Sequence, residues 1–464
     1  MKRLLLCFGC LLILHSYTML LSSCNKRHIT VDDLLIVVNP EKALLDEPID
    51  ISISNLLANE QLLLELSSKD ADGGIWKSHA TFQANNKGVI NVTKQAPLCG
   101  SYKGIDPMGL FWSMAPIDTD SSKNTFMSRG TVNLCEVLLS VSSKGTLRAQ
   151  KIIRRLFFSP DVEKKDIREE GIVGTLFYPK NMKKSPGLIT IPGSGGMIPE
   201  SISQFIASHG YTVLALAYFG AEGLPKSLSL IPLEYFQNAM RWLKKQPQVE
   251  SGKIALMGHS RGAEVVLLLA SLFPGEMAGV IAVSGPSLVY GDFSPEKKSA
   301  WTYKNIPIPC MPYVTDQEIF EAIKAGHIIG HSGTIKDPFR DAQTFLYGIN
   351  MKKYNNMMKK AAIPVENIRC PLLIISGDDD AMWPSAVFGK RIMERLDAHG
   401  SIIKKRHSNY PHAGHYLFTF PYAPSIDLPV PMASGWSLLG GTPQGNAYAI
   451  EQSWKEMLEF LKEM

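Results

Sequence analysis

A Gly-x-Ser-x-Gly pentapeptide at residues 258–262 is the stretch of this sequence with the clearest capacity for chemistry. An apolar run, residues 254–257, stops at its first glycine, and a helix-forming apolar run begins at Ala263. Ser260 is therefore predicted to lie on a sharp turn from a strand to a helix, which is typical of a nucleophile elbow. The two glycines favour this interpretation because such a turn leaves no room for a Cβ atom. The alternative is a serine that only caps the helix.

A serine nucleophile also needs a carboxylate, and a suitable loop follows further along the chain. Residues 371–376 are predicted to form a buried strand that opens directly into three adjacent aspartates, Asp378, Asp379 and Asp380. A carboxylate just past the end of a parallel strand lies at the same edge of the sheet as a nucleophile elbow. The pattern alone does not decide which aspartate serves, and an acidic loop is usually just solvated.

The base would be a histidine, and two candidates follow in one loop. His412 and His415 lie before the last predicted helix, in the sequence YPHAGH at residues 410–415. The order Ser, Asp, His is the one expected for a nucleophile elbow on a mostly parallel sheet. The small residues before His415 would let its loop pack tightly enough to aim the ring at Ser260, whereas Pro411 restricts the loop at His412. The alternative for either histidine is an ordinary surface residue.

The composition argues against several other classes of function. The 464 residues are 45% hydrophobic and 20% charged, and the formal net charge of +5 is spread without a basic block, so we expect no nucleic-acid partner. Cys7 and Cys10 have C-x-x-C spacing but lie in the apolar run at residues 4–14. The other five of the seven cysteines form no such pair and no cluster with histidines at metal spacing, so we expect no metal site and no cofactor. Cys99 and Cys135 could form a disulfide or could both be free thiols, and the sequence leaves these alternatives open.

The first 24 residues predict export and attachment to a membrane. Two basic residues precede a short apolar run, residues 4–14, which is typical of a secretory signal and too short for a membrane span. The segment ends in LSSC at residues 21–24, which resembles a bacterial lipobox, where the cysteine receives the lipid. We expect residues 1–23 to be removed and Cys24 to anchor the protein in the bacterial cell envelope, on the periplasmic side of the outer membrane. The alternative is a signal peptide with a chance cysteine.

The hydrophobic pattern changes once along the rest of the chain. In residues 24–160, short strands alternate apolar with polar positions between turn formers, which predicts an antiparallel β-sandwich. In residues 161–464, strands alternate with helical segments, which predicts a mostly parallel sheet with helices on both faces. A charged segment at residues 161–170 is the predicted boundary, because it has no apolar face to bury. Residues 285–366 interrupt the second pattern and are predicted to be a lid-like insertion over the site.

Taken together, these motifs resemble the family of acyl-CoA thioesterases and bile acid-CoA:amino acid N-acyltransferases. The resemblance rests on stretches that follow one another in order: LLDEPIDISISNL at residues 44–56, residues 100–114, GSGG at 193–196, the elbow, GDDD at 377–380 with Trp383, and AGH at 413–415. It implies an N-terminal β-sandwich and a C-terminal α/β-hydrolase domain. It also implies the triad Ser260, Asp380 and His415, since the family places its acid three residues after the glycine.

The resemblance implies acyl transfer through an acyl-enzyme. We expect His415 to accept the proton of Ser260 while Asp380 orients the imidazole. The carbonyl oxygen of the substrate would be bound by backbone N–H groups, which we assign to Arg261 and to the turn that contains Ser194 and Gly195.

The expected partner is a small acyl thioester or ester. The conjugating members of the family use cysteine as the nucleophile, so Ser260 favours hydrolysis, and transfer to an amine is the alternative. A non-catalytic, lipid-anchored binding module is a third possibility. Predicted export would separate the protein from coenzyme A thioesters, which are kept in the cytosol. The acyl chain, the leaving group and the oligomeric state stay open.

Overall fold

A computed structural model of the chain describes residues 34–118, 133–294, 296–312, 321–322, 324–325, 334, 336–339, 347, 350–432 and 435–464. The predicted signal peptide, Cys24 and most of residues 313–349 lie outside the described residues. Within this described part, no helix has the length and the apolar character that crossing a bilayer requires.

Alternating apolar and polar residues build the first part of the chain into strands with one buried face. These strands are β1 (Leu35–Asn39), β2 (Lys42–Leu44), β3 (Asp50–Ser54), β4 (Gln61–Lys69), β5 (Ile75–Gln83), β6 (Ile90–Asn91), β7 (Cys99–Gly100), β8 (Ala115–Pro116), β9 (Leu134–Ser143) and β10 (Thr146–Leu156), with the short helix α1 (Gly109–Trp112) before β8. In β3, Ile51 and Ile53 are buried, whereas the alternate Ser52 and Ser54 are partly exposed. This is the pattern of a strand with one side against a core.

The strands form two sheets that pack on a common core. One sheet has the order β1-β3-β6, and the other has the order β2-β10-β9-β4-β5-β7, with β8 also paired to β5. Neighbours are antiparallel except β2 and β10, which are parallel. Ile53 of the first sheet and Leu64 and Leu139 of the second belong to one apolar cluster. The predicted sandwich is therefore confirmed, with one parallel pair that was not expected.

The second part of the chain forms a larger sheet with helices between its strands. The described strands of this second part, five of which form two small separate sheets, are β11 (Val162–Glu169), β12 (Ile172–Pro179), β13 (Ser185–Ile191), β14 (Thr212–Leu216), β15 (Ile231–Pro232), β16 (Val249–His259), β17 (Gly279–Val283), β18 (Trp301–Tyr303), β19 (Ile306–Pro307), β20 (Leu372–Gly377), β21 (Lys405–Tyr410), β22 (Val430–Met432) and β23 (Gly435–Ser437). The described helices are α2 (Glu200–Ala207), α3 (Leu233–Lys244), α4 (Arg261–Leu272), α5 (Asn355–Ala361), α6 (Ser385–Ala398) and α7 (Pro443–Lys462), with a 3₁₀ turn at Val365–Asn367.

Eight of these strands share one sheet in the order β11-β12-β14-β13-β16-β17-β20-β21. The β11–β12 and β12–β14 pairs are antiparallel and the other pairs are parallel. On β13, Leu188 packs into a cluster with α2 and α7, while its neighbour Ile189 packs into another cluster with α3, α4 and α6. Helices thus cover both faces, which confirms the predicted α/β-hydrolase fold.

The charged segment at residues 161–170, the predicted boundary, does bury an apolar side chain, contrary to the expectation from its composition. It contains the edge strand β11, in which Ile167 is fully buried. An edge strand needs few apolar residues, because most of its charged side chains can stay in water. The sandwich strands end at Leu156 and the larger sheet begins at Val162, yet Leu34–Met464 pack together as one compact unit. The division into residues 24–160 and 161–464 stays a prediction.

The four cysteines among the described residues are free thiols. Cys99 is exposed, whereas Cys135 is buried with its Sγ atom 3.1 Å from Ser68 Oγ. The alternative of a disulfide between them is therefore not what the structure shows.

A carboxylate of the sandwich joins the turn after α2 to the last helix, α7. Asp46 Oδ2 accepts hydrogen bonds from His209 Nε2 at 2.7 Å and from Trp454 Nε1 at 2.9 Å. His209 Nδ1 lies 2.9 Å from the carbonyl oxygen of Phe205, so both ring nitrogens face acceptors and both need a proton. Burial disfavours the imidazolium, but the hydrogen bond and the charge of Asp46 outweigh burial and raise the pKa of His209.

We expect Asp46→Asn to destabilise the chain by about 1–3 kcal/mol near pH 6 and to weaken the pH dependence of stability above it. A raised pKa of His209 means that its stabilisation is complete below the unfolded value and is lost as the pH rises through the folded one. Thermal unfolding between pH 6 and pH 9 measures this. Glu65→Gln removes an exposed pair with Lys77 and is the control. If the stability of Asp46→Asn falls with pH as steeply as that of the wild type, the Asp46–His209 contact is not the source of this pH dependence.

Candidate active site

Ser260 lies at the tip of a strained turn between β16 and α4. Its backbone has φ 56° and ψ −117°, a conformation that non-glycine residues rarely adopt. The N–H of Ser260 donates to the carbonyl oxygen of Val283 on the neighbouring β17 at 2.9 Å. The side chain makes no capping hydrogen bond to α4. Ser260 is therefore not a simple helix cap, and its geometry is that of a nucleophile elbow.

Both glycines of the pentapeptide are required by close backbone contacts. A Cβ atom on Gly258 would lie 2.1 Å from the carbonyl oxygen of Gly262, and a Cβ atom on Gly262 would lie 2.3 Å from that of Ile191. Real Cβ atoms do not approach backbone oxygens this closely. The turn can form only where residues 258 and 262 have no side chain.

One of the three adjacent aspartates is hydrogen-bonded to one of the two histidines. His415 Nδ1 lies 2.9 Å from Asp380 Oδ2 and 3.1 Å from Oδ1, and both side chains are buried. The N–H groups of Met382 and Trp383 also donate to Asp380 Oδ1. A carboxylate only accepts, so Nδ1 of His415 carries a proton and Nε2 of the neutral ring is left as an acceptor. This is the tautomer that a general base requires.

The remaining candidates in these two loops have other contacts. Asp378 is exposed and its Oδ1 atom accepts the N–H of His412 at 2.6 Å. Asp379 Oδ2 accepts the N–H of Gly441 at 3.1 Å. His412 itself is exposed. The structure thus brings Asp380 and His415 together and places the other two aspartates on backbone groups of the surrounding loops.

Two side chains hold the backbone of His415 against the elbow, and the sequence analysis missed both. Ser284 Oγ donates to the carbonyl oxygen of His415 at 2.8 Å, and His259 Nε2 donates to the same oxygen at 3.1 Å. Ser284 follows Val283, which accepts the N–H of Ser260, and His259 precedes Ser260 in the chain. The loop of His415 is therefore bonded to the residue that precedes Ser260 and to the residue that follows β17. The sequence did contain a signal for His259, because it is a polar residue at the end of a strand that is otherwise buried.

His259 is an uncharged neighbour of His415. Burial and the nearby charge of His415 lower the pKa of His259 to about 3. Its ring lies 4.9 Å from the ring of His415 and stacks in parallel on Phe418 at 5.8 Å, as measured between ring centroids. His259 can therefore donate a hydrogen bond without placing a second positive charge beside His415.

The turn after β13 passes beside the serine. A Cβ atom on Gly193 would lie 3.1 Å from Ser260 Cβ. Ser194 and Gly195 follow in the same turn, and Gly196 closes it by donating its N–H to the carbonyl oxygen of Gly193 at 3.3 Å. On the other side, Arg261 is the first residue of α4, where backbone N–H groups point out of the helix.

A buried ion pair behind the elbow connects α4 to Tyr290 and Gly291, which follow β17. Arg261 Nη1 donates to Glu264 Oε2 at 2.9 Å, and Nη2 donates to the carbonyl oxygens of Tyr290 at 2.9 Å and Gly291 at 3.2 Å. Glu264 also accepts the indole N–H of Trp301. Burial raises the pKa of Glu264, and the charge of Arg261 opposes that rise. These contacts give the Arg261–Glu264 pair a structural role, because they hold α4 against Tyr290, Gly291 and Trp301.

The loop of His415 is also tied to the sandwich. The N–H of His415 donates to the carbonyl oxygen of Leu439 at 2.9 Å, and the N–H of Leu439 donates to Asp427 Oδ1 at 2.9 Å. Two residues before this aspartate, the N–H of Ser425 donates to the carbonyl oxygen of Trp112 in the sandwich at 3.0 Å. Trp112 belongs to the aromatic stretch at residues 100–114, whose rings are buried in the core.

Metal ligands are not grouped in the part of the chain that the structure describes. No set of three or more His, Cys, Asp or Glu side chains lies there in an arrangement that could hold an ion. The contacts seen at this site are the pairing of His415 with Asp380 and the packing of the turn after β13 beside Ser260.

Comparisons with known proteins cover both parts of the fold. The family model described as acyl-CoA thioester hydrolase/BAAT N-terminal region matches residues 46–169, and the model described as BAAT/acyl-CoA thioester hydrolase C terminal matches residues 231–464. Mitochondrial acyl-coenzyme A thioesterase 2 of Mus musculus is 31% identical over 428 residues, which are 91% of this chain and 88% of that protein.

Two further similar proteins differ in how closely they match. The peroxisomal succinyl-coenzyme A thioesterase of Mus musculus is 30% identical over 421 residues, which are 89% of this chain and 93% of that protein. The solved structure of esterase B from Lactobacillus rhamnosis has a TM-score of 0.36 at 14% identity, and the match covers 66% of this chain and 87% of that one.

We expect Gly262→Ala to destabilise the chain by about 3 kcal/mol, because the added methyl group would meet backbone oxygens that cannot turn away. Gly195→Ala is the matched control, since nothing lies within 4 Å of a Cβ atom there and the backbone needs no left-handed conformation. Thermal unfolding of the two variants beside the wild type measures the difference. Equal midpoints for all three proteins would show that the elbow is packed more loosely than described.

Proposed function

The chain belongs to the acyl-CoA thioester hydrolase and BAAT family, and from that premise we propose that it is a serine hydrolase of acyl thioesters or related carboxylic esters. The observation that carries the proposal is the hydrogen bond between His415 and Asp380, in a loop that is bonded to His259, next to Ser260, and to Ser284 at the end of the neighbouring β17. A serine hydroxyl is a weak nucleophile at neutral pH and needs a base oriented in this way.

The first half of the proposed reaction forms an acyl-enzyme. His415 Nε2 accepts the proton of Ser260 Oγ as that oxygen bonds to the acyl carbonyl carbon. The tetrahedral intermediate collapses when its bond to the leaving thiol or alcohol breaks, and His415 donates the proton to that group. Asp380 fixes the imidazole in the Nδ1–H tautomer and stabilises the imidazolium between the two transfers.

The second half consumes water. His415 accepts a proton from a water molecule, the resulting hydroxide bonds to the acyl carbon, and the proton returns to Ser260 Oγ as the ester bond breaks. The products are a carboxylic acid and the free serine.

Backbone N–H groups would stabilise the oxyanion of both intermediates. We assign this role to the N–H of Arg261 at the start of α4 and to the N–H of Ser194 or Gly195. Two observations support the assignment: Arg261 directly follows Ser260, and Gly193 packs against the serine side chain. The loss of one such donor costs about 3 kcal/mol of transition-state stabilisation.

Membership of the family supports the class of substrate, but it does not specify the acyl group. The names of the two mouse relatives specify acyl-coenzyme A and succinyl-coenzyme A thioesters, which differ in the acyl chain. For this chain we propose a thioester or ester whose leaving group is a thiol or an alcohol. Turnover of a panel of acyl-CoA and aryl esters measures this preference.

Labelling with a fluorophosphonate tests the nucleophile and the base together. The wild type should be labelled at Ser260, Ser260→Ala should not be labelled, and His415→Ala should react far more slowly because the serine has lost its base. His412→Ala is the control, since His412 is exposed and its backbone N–H donates to Asp378. Labelling that survives Ser260→Ala, or equal loss from the two histidine variants, would overturn the proposal.

The assignment of the acid is tested by turnover. Asp380→Asn should lower kcat by about 10⁴, because the amide no longer enforces the required tautomer of His415. Asp378→Asn and Asp379→Asn should change kcat little, since an amide oxygen can still accept the backbone N–H groups of His412 and Gly441. Similar losses in all three variants would remove Asp380 from the mechanism. Amide products formed when an amino acid is present would identify the alternative, an acyltransferase.

We also propose that Cys24 carries a lipid and anchors the protein in the bacterial cell envelope. The support is the sequence of residues 2–24. Cys24→Ala should release the protein from the membrane fraction, and Cys99→Ala, which changes an exposed thiol of the sandwich, should not. If Cys24→Ala stays with membranes after a salt wash, the anchor is elsewhere.

A further inference from the structure

A cavity of about 300 Å³ lies between the segment at residues 287–288, the C-terminal end of α5 and the face of α6. Its lining does not include Ser260, Asp380 or His415. Most of the lining side chains are apolar, and the charged ones are all basic: Lys359, Arg391 and Arg395. Ligand sites in proteins begin at about this volume, so the cavity is large enough for a small molecule.

One of the three cations is neutralised by the protein. Arg395 donates to both carboxylate oxygens of Glu366, at 2.5 Å from Nε and 2.7 Å from Nη2. This paired geometry is the preferred one for a guanidinium and a carboxylate. Glu366 therefore neutralises the charge of Arg395 and not that of Arg391 or Lys359.

Arg391 has no such partner in the part of the chain that the structure describes. Its Nη1 atom lies 3.2 Å from Met351 Sδ and 3.5 Å from Met358 Sδ, and a thioether is a weak, uncharged acceptor. In the described ranges, neither Arg391 nor Lys359 forms an ion pair with a carboxylate. Arg391 is partly buried, so water screens its charge less than at an open surface. The wall of the cavity thus carries positive charge that the described residues do not balance.

The rest of the wall selects against a simple inorganic anion. Leu288, Ile363 and Ile392 line the cavity together with Met358, whose flexible thioether can adapt to different shapes. Phosphate would pair with Arg391 but would leave these apolar groups uncovered. A molecule with a carboxylate at one end and a short hydrocarbon chain at the other satisfies both parts of the wall.

We propose that this cavity binds a small acyl carboxylate, with its head group on Arg391 and its chain against Leu288, Met358 and Ile392. Lys359, at the C-terminal end of α5, adds positive charge at the same site. The site is separate from the Ser260 site, and the proposal does not depend on the hydrolase activity. If that activity is present, the ligand belongs to the same chemical class as the acid that the reaction releases.

Calorimetric titration of the full chain with octanoate tests the site, with octanol and inorganic phosphate as matched probes. Octanoate should bind more tightly than both, because octanol lacks the charge and phosphate lacks the chain. Arg391→Gln should weaken octanoate binding by about tenfold or more. Lys390→Gln is the control, since the neighbouring Lys390 is exposed, faces Glu394 at 3.8 Å and does not line the cavity.

Lys359→Gln gives a second measurement if Arg391→Gln does not fold, because Lys359 is exposed and its substitution removes one charge from the wall. Equal octanoate affinity in the wild type and in the variants that fold would overturn the proposal, as would equal binding of octanoate and phosphate. Loss of octanoate binding in Ser260→Trp, which fills the space at the elbow, with no effect of Arg391→Gln would place the ligand in the active site instead. None of these readouts needs a catalytically active protein.

Discussion

The elbow at Ser260 depends on a strained backbone that the surrounding sheet holds in place. A non-glycine residue with this conformation costs about 1–3 kcal/mol. Strand β16 lies between β13 and β17, and its residues Ile254, Leu256 and Met257 are completely buried. Burial of one such side chain contributes about 1.5–3 kcal/mol, so the core around the strand outweighs the strain of the turn. The packing that holds Ser260 at the turn also excludes side chains at both glycines, and the neighbouring β17 accepts the N–H of Ser260.

The sandwich has a mechanical connection to the histidine. Trp112 accepts the N–H of Ser425, Asp427 accepts the N–H of Leu439, and Leu439 accepts the N–H of His415. Each of these bonds joins residues that are distant in the chain. The aromatic stretch at residues 100–114 therefore does more than pack in the core. It is also where the sandwich contacts the segment that follows His415. This gives a physical reason for one chain to contain both parts.

The sequence alone was sufficient to predict the elements whose defining residues are adjacent in the chain. The elbow could be predicted because the strand, the glycines and the helix that define it occupy adjacent residues. The choice of Asp380 among three aspartates needed a family resemblance, since the difference between them is a contact with a histidine 35 residues away. The bonds of His259 and Ser284 to His415 could not be predicted, because they join residues 156 and 131 positions apart. The edge strand β11 was not predicted, because one buried isoleucine among charged residues gives almost no periodic signal.

Arg261 unites two roles in one residue. Its backbone follows Ser260 at the start of α4, while its guanidinium is bonded to the carbonyl oxygens of Tyr290 and Gly291 after β17. Because the side chain is buried and paired with Glu264, residues 290 and 291 cannot shift without breaking these bonds or displacing the first turn of α4. The position of residues 290 and 291 is thus linked, through the buried side chain of Arg261, to the alignment of the amide that follows Ser260. These two residues and the geometry of the elbow are in this way mechanically coupled.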